Sequence, residues 1–255
     1  MCLIFLSLRQ HPKYKLVVAA NRDEFYARKT APAAFWQDHP DVLGGRDLEA
    51  GGTWMGITRQ GRITLITNYR DPQHIDPAAP SRGKLVSDFL TGQETPDVYL
   101  KGIADSGVRY NGFNLIVGDL QSLWYYSNYR DGIDEITPGL HGLSNHLLET
   151  PWPKVVRGKE KLAAILQQAT ITPEALFDLL YDDTQAADNL LPRTGVSLEL
   201  ERRLSAMFIK SPNYGTRCST VVLIDHDNQV TFAERTFDTK TFKHTTEQFQ
   251  FEIDA

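Results

Sequence analysis

Short apolar runs separated by polar turns fill the first third of the chain, and this pattern predicts paired strands. Residues 2–8 and 14–20 form one such pair, and residues 54–58 and 63–67 form another. Runs of this length that are joined by short polar turns are typical of β-hairpins. The glycine-rich segment 43–53 lies between the two hairpins and is predicted to be a loop.

The hydrophobic period changes to that of helices after the second hairpin. Apolar positions in 81–103 follow a helical repeat, and Thr95-Pro96 places a cap residue before a proline in the first turn. A second helical region covers 153–180, where Thr172-Pro173 gives the same start signal, and 197–208 predicts a shorter helix. Further strands are predicted at 113–117, 123–126, 219–224 and 229–233, with an edge strand at 249–253.

The order of these elements predicts the fold class. Strands and helices come in groups and do not alternate as in a βαβ protein, so the sequence favours an α+β fold, with mainly antiparallel sheet and helices grouped on its faces. The 255 residues are 41% hydrophobic and 23% charged, which suits a globular protein with a full core. We expect residues 1–255 to form a single domain.

Charge and cysteine content narrow the function classes. A net charge of −5 argues against a nucleic-acid-binding surface. Cysteine occurs at Cys2 and Cys218 alone, so no disulfide framework is predicted and a cytoplasmic, reducing location is expected. The apolar start is too short to span a bilayer and lacks the basic lead-in of a secretion signal. No spacing of His or Cys indicates a metal site.

Cys2 stands directly behind the initiator Met1 and is the strongest candidate for chemistry. Removal of Met1 gives one residue both a thiol and an α-amine, whose ordinary pKa values are about 8.5 and about 7.7–8.0. The amine is therefore partly neutral in neutral solution and can accept the thiol proton, as in other nucleophiles that are paired with a base. A small core residue at the start of a strand is the alternative, because free cysteine is common in cores.

A polar tetrapeptide, Asn21-Arg22-Asp23-Glu24, follows directly after the predicted strand 14–20. Pairing of the first two strands brings this segment towards the N-terminus. Arg22 is then able to lower the pKa of the Cys2 thiol, since a neighbouring cation favours the thiolate. Asp23 is able to hold the α-amine by a charge-assisted hydrogen bond. The alternative is a solvated turn whose ion pair has little energetic value.

Three further polar residues stand next to predicted strands. Asn68 and Asn145 carry side-chain amides that suit the stabilisation of an oxyanion, although asparagine also caps turns. Arg217 leads into the apolar strand 219–224 and is costly to bury alone, so we expect it to meet a carboxylate of the protein or of a ligand. The neighbouring Cys218 is interpreted as a core thiol.

Taken together, these segments resemble one family. Its motifs are matched by Met1-Cys2-Leu3-Ile4, Asn21-Arg22-Asp23-Glu24, Gly51-Gly52-Thr53-Trp54-Met55-Gly56, Thr67-Asn68-Tyr69-Arg70, Gly142-Leu143-Ser144-Asn145 and Tyr214-Gly215-Thr216-Arg217. Each motif alone is short, but the combination extends over nearly the whole chain. It is similar to that of the NRDE family, also called the transport and Golgi organization protein 2 family.

The resemblance implies an N-terminal-nucleophile hydrolase fold, a four-layer αββα sandwich with two mainly antiparallel sheets between helical layers. There is also a more distant similarity to the penicillin V acylase and bile-salt hydrolase group. It implies a cysteine nucleophile and, after the second strand, an arginine and an aspartate. It further implies asparagines that stabilise the oxyanion and an arginine towards the C-terminal end of the chain. The corresponding residues here are Cys2, Arg22, Asp23, Asn68, Asn145 and Arg217. Arg22 and Asp23 are adjacent in this chain, whereas those enzymes separate the pair by two residues.

Two hypotheses follow for the function. In the first, Cys2 attacks the carbonyl of a non-peptide amide or related acyl bond in a small-molecule substrate, and water then releases the acyl group without a cofactor. In the second, the protein binds a small hydrophobic ligand, such as haem or a lipid-like acyl compound, without turnover. The family resemblance implies ties to Golgi organisation, lipid and mitochondrial metabolism and haem trafficking. His141 and His146 are the candidate axial ligands for a haem.

Overall fold

The computed structural model describes residues 3–254. Met1, Cys2 and Ala255 lie outside the described residues, as does the predicted first residue of the strand at 2–8. The chain divides into two compact units, Met1–Ala27 with Pro138–Phe251 and Arg28–Thr137 with Glu252–Ala255. Each unit is built on one sheet. The expectation that all 255 residues form a single domain stays a prediction.

The described residues form strands and helices that we number along the chain. The strands are β1 (Leu3–Leu8), β2 (Tyr14–Phe25), β3 (Thr30–Phe35), β4 (Val42–Asp47), β5 (Met55–Thr58), β6 (Ile63–Asn68), β7 (Phe113–Gly118), β8 (Leu123–Ser127), β9 (Ile133–Glu135), β10 (Gly139–Leu143), β11 (Tyr214–Asp225), β12 (Gln229–Phe237) and β13 (His244–Glu252). The α-helices are α1 (Gly83–Thr91), α2 (Pro96–Asp105), α3 (Pro153–Ile165), α4 (Pro173–Leu180) and α5 (Leu198–Leu204).

The sheet of the first unit has the strand order β10-β1-β2-β11-β12-β13. The pairings of β1 with β10 and β2, and of β11 with β2 and β12, are antiparallel. Helix α3 packs against β10 and β1, and helix α4 packs against β11 and β2. Strands β1 and β2 are therefore interior strands with a hydrogen-bonded neighbour on each side.

Alternating residues of these interior strands face the two helices. Leu3, Phe5, Val17, Ala19 and Val221 are fully buried and share one apolar core with residues of α3 and α4. Successive side chains of a strand point to opposite faces of its sheet. The residues that alternate with these five along each strand therefore point to the other face of the sheet, which α3 and α4 do not cover.

Gly158 sets the distance between α3 and β1. A Cβ atom added at this position would lie 1.9 Å from Cζ of Phe5, far inside van der Waals contact. The missing side chain lets the helix pack directly on the Phe5 ring. This close approach holds β1 tightly against α3.

The sheet of the second unit has the strand order β3-β4-β5-β6-β7-β8-β9. Helix α1 packs against β4, β5 and β6, and helix α2 packs against β7, β8 and β9. The apolar stripe of α1 is buried as its periodicity predicts, through Leu85, Val86, Phe89 and Leu90. Helix α2 begins after the extended residue Thr95 with Pro96 in its first turn, also as predicted.

The structure confirms the α+β class, with two sheets whose described pairings are antiparallel and with helices packed on each. Both predicted hairpins are present as the pairs β1–β2 and β5–β6. The predicted start of α4 is also confirmed, since the Thr172 hydroxyl accepts a hydrogen bond from the amide of Ala175. Within residues 3–254, no helix combines the length and the apolar character needed to span a membrane.

The prediction that the second strand ends at Ala20 is wrong. Strand β2 continues to Phe25, so Asn21-Arg22-Asp23-Glu24 lies inside a strand. The reason is its partner β11, which pairs with this polar segment as far as Tyr214 opposite Phe25. Polar side chains do not end a strand when the neighbouring strand satisfies their hydrogen bonds.

The prediction of a loop throughout residues 43–53 is also wrong, because β4 extends to Asp47. Glycine weakens a strand in general, but it is required where another group approaches the backbone closely. A Cβ at Gly44 would lie 2.6 Å from the carbonyl oxygen of Met55, and one at Gly45 would lie 2.3 Å from the Trp54 ring. These glycines therefore serve close packing within a sheet.

Strand β10 lies between the predicted strand 123–126 and the predicted helical region 153–180, where the sequence predicts no regular element. Its short sequence, Gly139 to Leu143, contains two glycines and a histidine and carries little strand signal. Pairing with β1 stabilises it, with Leu143 opposite Ile4 and Gly139 opposite Leu8. This missed strand brings the segment that precedes Asn145 next to β1.

Candidate active site at the start of β1

The start of β1 lies between the polar ends of two neighbouring strands. Leu3 is opposite Asn21 of β2, and Ile4 is opposite Leu143 of β10. Cys2 is outside the described residues, but it is the residue bonded to Leu3 in the chain. The candidate site is therefore the set of groups around the start of β1.

Asn21 ties this part of β2 to the helical side of the sheet. Its side-chain amide donates hydrogen bonds to the carbonyl oxygens of Leu180, at 3.1 Å, and Met207, at 2.8 Å. Its side-chain oxygen accepts a 2.6 Å hydrogen bond from the hydroxyl of Ser219 on β11. Donors and acceptor are all used for structure, so Asn21 fixes the strand and does not act on a substrate.

Arg22 lies in the next position of β2, directly opposite Cys218 of β11. Its guanidinium is 3.7 Å from the carboxylate of Glu24, with side chains that are 4% and 24% exposed. Asn21 and Asp23 are also buried. The tetrapeptide is therefore a buried strand segment, and the alternative of a solvated turn is wrong.

Asp23 is held by the bent start of β11. Its Oδ1 accepts a 2.7 Å hydrogen bond from the hydroxyl of Thr216, and the same Thr216 oxygen accepts a 2.9 Å bond from the amide of Ile209. Because neighbours on a strand point to opposite faces, Arg22 and Asp23 leave β2 on opposite sides. The adjacency noticed in the sequence thus separates the two charges across the sheet.

Arg217 occupies the irregular position between Thr216 and Cys218 where the β2–β11 register shifts. Its guanidinium donates hydrogen bonds of 3.2 Å to the carbonyl oxygens of Phe25 and Tyr26. Burial lowers the pKa of Arg217, and the positive charge of Arg22 lowers it further. Two cationic site residues therefore lie within electrostatic reach of each other in the first unit.

Cys218 is a buried thiol, as predicted from the sequence. Burial raises its pKa well above the usual value for a thiol, and the carboxylate of Glu234 raises it further, while Arg22 acts in the opposite direction. The thiolate is the reactive form of cysteine. Cys218 is therefore a core thiol opposite Arg22 whose reactive form is disfavoured by burial.

Asn145 follows β10 by two residues, at the end of that strand nearest Leu3. It is 6% exposed and stands beside Ser144, whose hydroxyl lies 3.5 Å from the Asn145 side-chain oxygen. The first sheet thus places Arg22 and Asp23 close to the start of β1, on opposite faces, with Asn145 beyond the end of β10 and Arg217 one strand further, on β11.

Asn68 is the last residue of β6 and lies opposite Phe113. It is half-buried and belongs to the second unit. The neighbouring Thr67 accepts a 3.0 Å hydrogen bond from Asn114 within the second sheet. Asn68 is therefore not among the residues that the first sheet brings together.

The two histidines near Asn145 each contact a neighbouring side chain. His141 lies 3.6 Å from the carboxylate of Glu149 through Nδ1, and Nδ1 of His146 is 2.9 Å from the hydroxyl of Thr150. Burial lowers the pKa of His146. Among residues 3–254, no group of three or more His, Cys, Asp or Glu side chains is arranged to hold a metal ion.

Glu234 is a buried carboxylate of the first sheet that sequence reasoning missed. It is 1% exposed, and its Oε2 accepts a 2.9 Å hydrogen bond from the hydroxyl of Thr220. The predicted strand ended at Ala233, whereas β12 continues to Phe237 and carries Glu234 into the interior of the sheet. The available signal was a carboxylate directly after the apolar pair Phe232-Ala233.

Solved structures of two hydrolases are similar to this chain in fold. The Caenorhabditis elegans ortholog of N-acylethanolamine-hydrolyzing acid amidase has a TM-score of 0.52 at 10% identity, over 87% of this chain and 92% of that chain. The C2A mutant of the conjugated bile acid hydrolase from Clostridium perfringens has a TM-score of 0.53 at 7% identity, over 100% and 97%. At such identities the likeness shows the fold alone, which is the N-terminal-nucleophile hydrolase fold that the sequence predicts.

The family is shown by comparisons of sequence. Residues 1–239 match the family model described as Transport and Golgi organisation 2. The human Transport and Golgi organization protein 2 homolog is 38% identical over 278 aligned residues, which cover 100% of both chains. The chain therefore belongs to the Transport and Golgi organisation 2 family.

Proposed function

We propose that this protein is an N-terminal cysteine hydrolase that cleaves a non-peptide amide or a related acyl bond. One observation supports the proposal: strand register places Arg22 and Asp23 of β2 close to the start of β1, directly after Cys2, with Asn145 beyond the end of β10 and Arg217 on β11. Burial of polar and charged groups costs folding free energy. Clusters of such groups are therefore found more often at functional sites.

The reaction proceeds in two balanced steps. The Cys2 thiol transfers its proton to the α-amine, and the thiolate sulfur attacks the carbonyl carbon of the substrate. The C–N bond then breaks, the amine leaves with the proton from the Cys2 ammonium, and a thioester remains on the sulfur. Water adds to the thioester, the C–S bond breaks, and the acid and the thiol are released.

The surrounding residues take roles that suit their chemistry. Arg22 is a fixed cation next to the start of β1, and a neighbouring cation favours the thiolate. Asn145 is assigned as an amide donor to the oxyanion, a contribution that removal experiments on other enzymes put at about 3 kcal/mol. Asp23 is assigned to the α-amine, and Arg217, at the bend of β11, is assigned to the substrate.

The two similar structures support this choice of bond. One is described as an acid amidase that hydrolyses N-acylethanolamines and the other as a hydrolase of conjugated bile acids. The mutant of the second protein replaces a cysteine at position 2, the position that Cys2 has here. An acyl compound with a small amine as its leaving group is therefore the substrate class to test first.

Acyl trapping tests the proposal. The native protein is incubated with a series of N-acyl amines and, separately, with activated esters that can acylate a thiol. Its mass is followed by quenched-flow mass spectrometry. We expect a transient increase equal to one acyl group on the N-terminal peptide, followed by release of acid. Cys218→Ser is the matched control and keeps the adduct, whereas Cys2→Ala loses it. Acyl compounds that bind to both wild type and Cys2→Ala with no adduct and no acid would establish a binding protein instead.

A further inference from the structure

Glu234 is a buried carboxylate for which the proposed reaction has no use. It is 1% exposed and receives a 2.9 Å hydrogen bond from the Thr220 hydroxyl. An ionised carboxylate is excluded from protein interiors unless hydrogen bonds and an opposite charge compensate its loss of hydration. The Thr220 hydroxyl supplies one hydrogen bond, and the neighbouring strands β11 and β13 flank the strand that carries Glu234.

The thiol of Cys218 links Glu234 to the site. It lies directly opposite Arg22 and diagonally across from Glu234, and both charges act on its pKa, which Glu234 raises and Arg22 lowers. Register explains this arrangement, because Cys218 is opposite Arg22 on one side and its neighbour on the same face, Thr220, is opposite Glu234 on the other. Diagonal neighbours on one face of a sheet are within reach of long side chains.

Both positively and negatively charged side chains lie around Cys218. Around Cys218 in the first unit, β2 contributes Arg22 and Glu24, and β11 contributes Arg217. Glu24 is partly exposed and lies 3.7 Å from Arg22, which is a loose ion pair. Glu234 is the fully buried carboxylate on the same face, and register places it diagonally across β11 from Cys218, the residue opposite Arg22.

We propose that Glu234 is a positioning residue of the active site, whose buried carboxylate compensates the charge of Arg22 and holds its guanidinium beside the start of β1. This inference rests on the proposed function, because it assigns Glu234 to the nucleophile through Arg22. Glu234 itself does not touch the substrate. It sets how much of the Arg22 charge the Cys2 thiol experiences.

The sign of the effect on the nucleophile follows from electrostatics. Removal of the Glu234 charge leaves the positive charge of Arg22 less compensated, which favours the Cys2 thiolate. We expect Glu234→Gln to lower the pH midpoint of Cys2 alkylation by about 0.5 unit, because the loss of one negative charge from the surroundings favours the thiolate. Removal of Arg22 acts oppositely, so Arg22→Gln raises the midpoint. The double variant Arg22→Gln/Glu234→Gln returns it towards the wild-type value.

A stability measurement covers the case in which Glu234→Gln folds poorly. Loss of one member of a buried charge pair is strongly destabilising, whereas replacement of both members is often nearly neutral. We expect Glu234→Gln to lower the Tm by about 5–10 °C and the double variant to recover at least half of that loss. Glu160→Gln, on the exposed surface of α3, is the matched control and changes neither the Tm nor the midpoint.

The experiment is therefore alkylation of Cys2 between pH 5 and pH 10, with Tm measured on the same five proteins. A midpoint that falls in Glu234→Gln, with recovery in the double variant, supports the proposal. If Cys2 is reactive in the wild type but its midpoint is unchanged in Glu234→Gln, the role of Glu234 is overturned and the proposed function stands. The role of Glu234 is also overturned if the double variant loses as much Tm as the two single variants together. A wild-type Cys2 no more reactive than cysteine in the unfolded chain overturns the proposed function, and the role of Glu234 with it.

Discussion

Thr216 donates a 2.7 Å hydrogen bond to Asp23 across the β2–β11 pair. The same hydroxyl oxygen accepts a bond from the amide of Ile209, and Thr216 and Asp23 are almost fully buried. One small side chain thus connects the motif carboxylate to the segment that leads into β11. The position of Asp23 depends on this connection as much as on its own strand.

Thr216→Val is expected to destabilise the protein by about 1–3 kcal/mol, because it removes a donor from a buried carboxylate and an acceptor from a buried amide. Urea unfolding measures the loss. Thr231→Val, at a half-buried position of β12, is the matched control and changes stability by about 0.5 kcal/mol or less. Equal losses in the two variants would contradict the structural role of the Thr216 hydroxyl.

Asn21→Asp is expected to be more damaging than a substitution at a solvated turn. The change replaces two amide donors by a carboxylate that faces the carbonyl oxygens of Leu180 and Met207. We expect a loss of about 3 kcal/mol or more in the free energy of unfolding. Asn189→Asp, at an exposed position, provides the comparison, and a similar effect at both sites would show that the Asn21 contacts do not stabilise the fold.

Two helical glycines make a matched pair. A Cβ at Gly158 would overlap the Phe5 ring, whereas a Cβ at Gly102 in α2 would have nothing within 4 Å. Gly158→Ala should therefore lower stability by about 1–3 kcal/mol, and Gly102→Ala should raise it by up to about 1 kcal/mol through helix propensity. Thermal unfolding of both variants checks the signs, and a gain in stability at Gly158 would refute the close packing of α3 on β1.

Asp182 predicts a pH dependence of stability at the acid end. Burial opposes ionisation, but hydrogen bonds from Lys161 and Thr184 and the charge of Arg157 outweigh it and lower the pKa of Asp182 to about 2. A depressed pKa in the folded state gives stability that is present above the unfolded value of about 3.9 and is lost as the pH falls towards about 2. After allowance for solvent screening, the contribution is about 1 kcal/mol.

Asp182→Asn should therefore flatten the fall in stability between about pH 4 and about pH 2. The Tm as a function of pH measures this directly. Asp178→Asn, an exposed aspartate of α4, should leave the acid limb of the curve as it is in the wild type. An acid limb that is unchanged in Asp182→Asn would mean that other carboxylates control acid unfolding.

Local patterns predicted the regular parts of this fold because their signals are local. Thr95-Pro96 and Thr172-Pro173 start helices in the structure as they do in the sequence, since a cap residue and a following proline act within one turn. The buried stripe of α1 likewise follows its period. Such elements need no partner to be recognised.

Elements that depend on a distant partner were missed or misjudged. Strand β2 extends through Asn21-Arg22-Asp23-Glu24 because Ser219, Thr216 and Cys218 stand opposite on β11, about two hundred residues later. Strand β10 exists because β1 pairs with it. A polar or glycine-containing segment does not indicate by itself which strand will satisfy its hydrogen bonds.

The same distinction applies to the candidate site. Motif resemblance identified Arg22, Asp23, Asn145 and Arg217, of which the first sheet places Arg22 and Asp23 close to the start of β1. It did not identify Glu234, whose buried position depends on the pairing of β12 with β11 and on a strand that extends four residues beyond its apolar run.

The state of the N-terminus tests the central claim most directly. Intact-mass measurement of the native protein before and after brief treatment with iodoacetamide, followed by peptide mapping, reports both the loss of Met1 and the reactivity of Cys2. Cys2→Ala controls for labelling elsewhere, and buried Cys218 supplies an internal reference.

We expect a mass that lacks Met1 and a single alkyl group on Cys2, added faster than to Cys218 and abolishing the release of acid from acyl substrates. A native protein that retains Met1 in full, or whose Cys2 reacts no faster than Cys218, would contradict an N-terminal cysteine nucleophile.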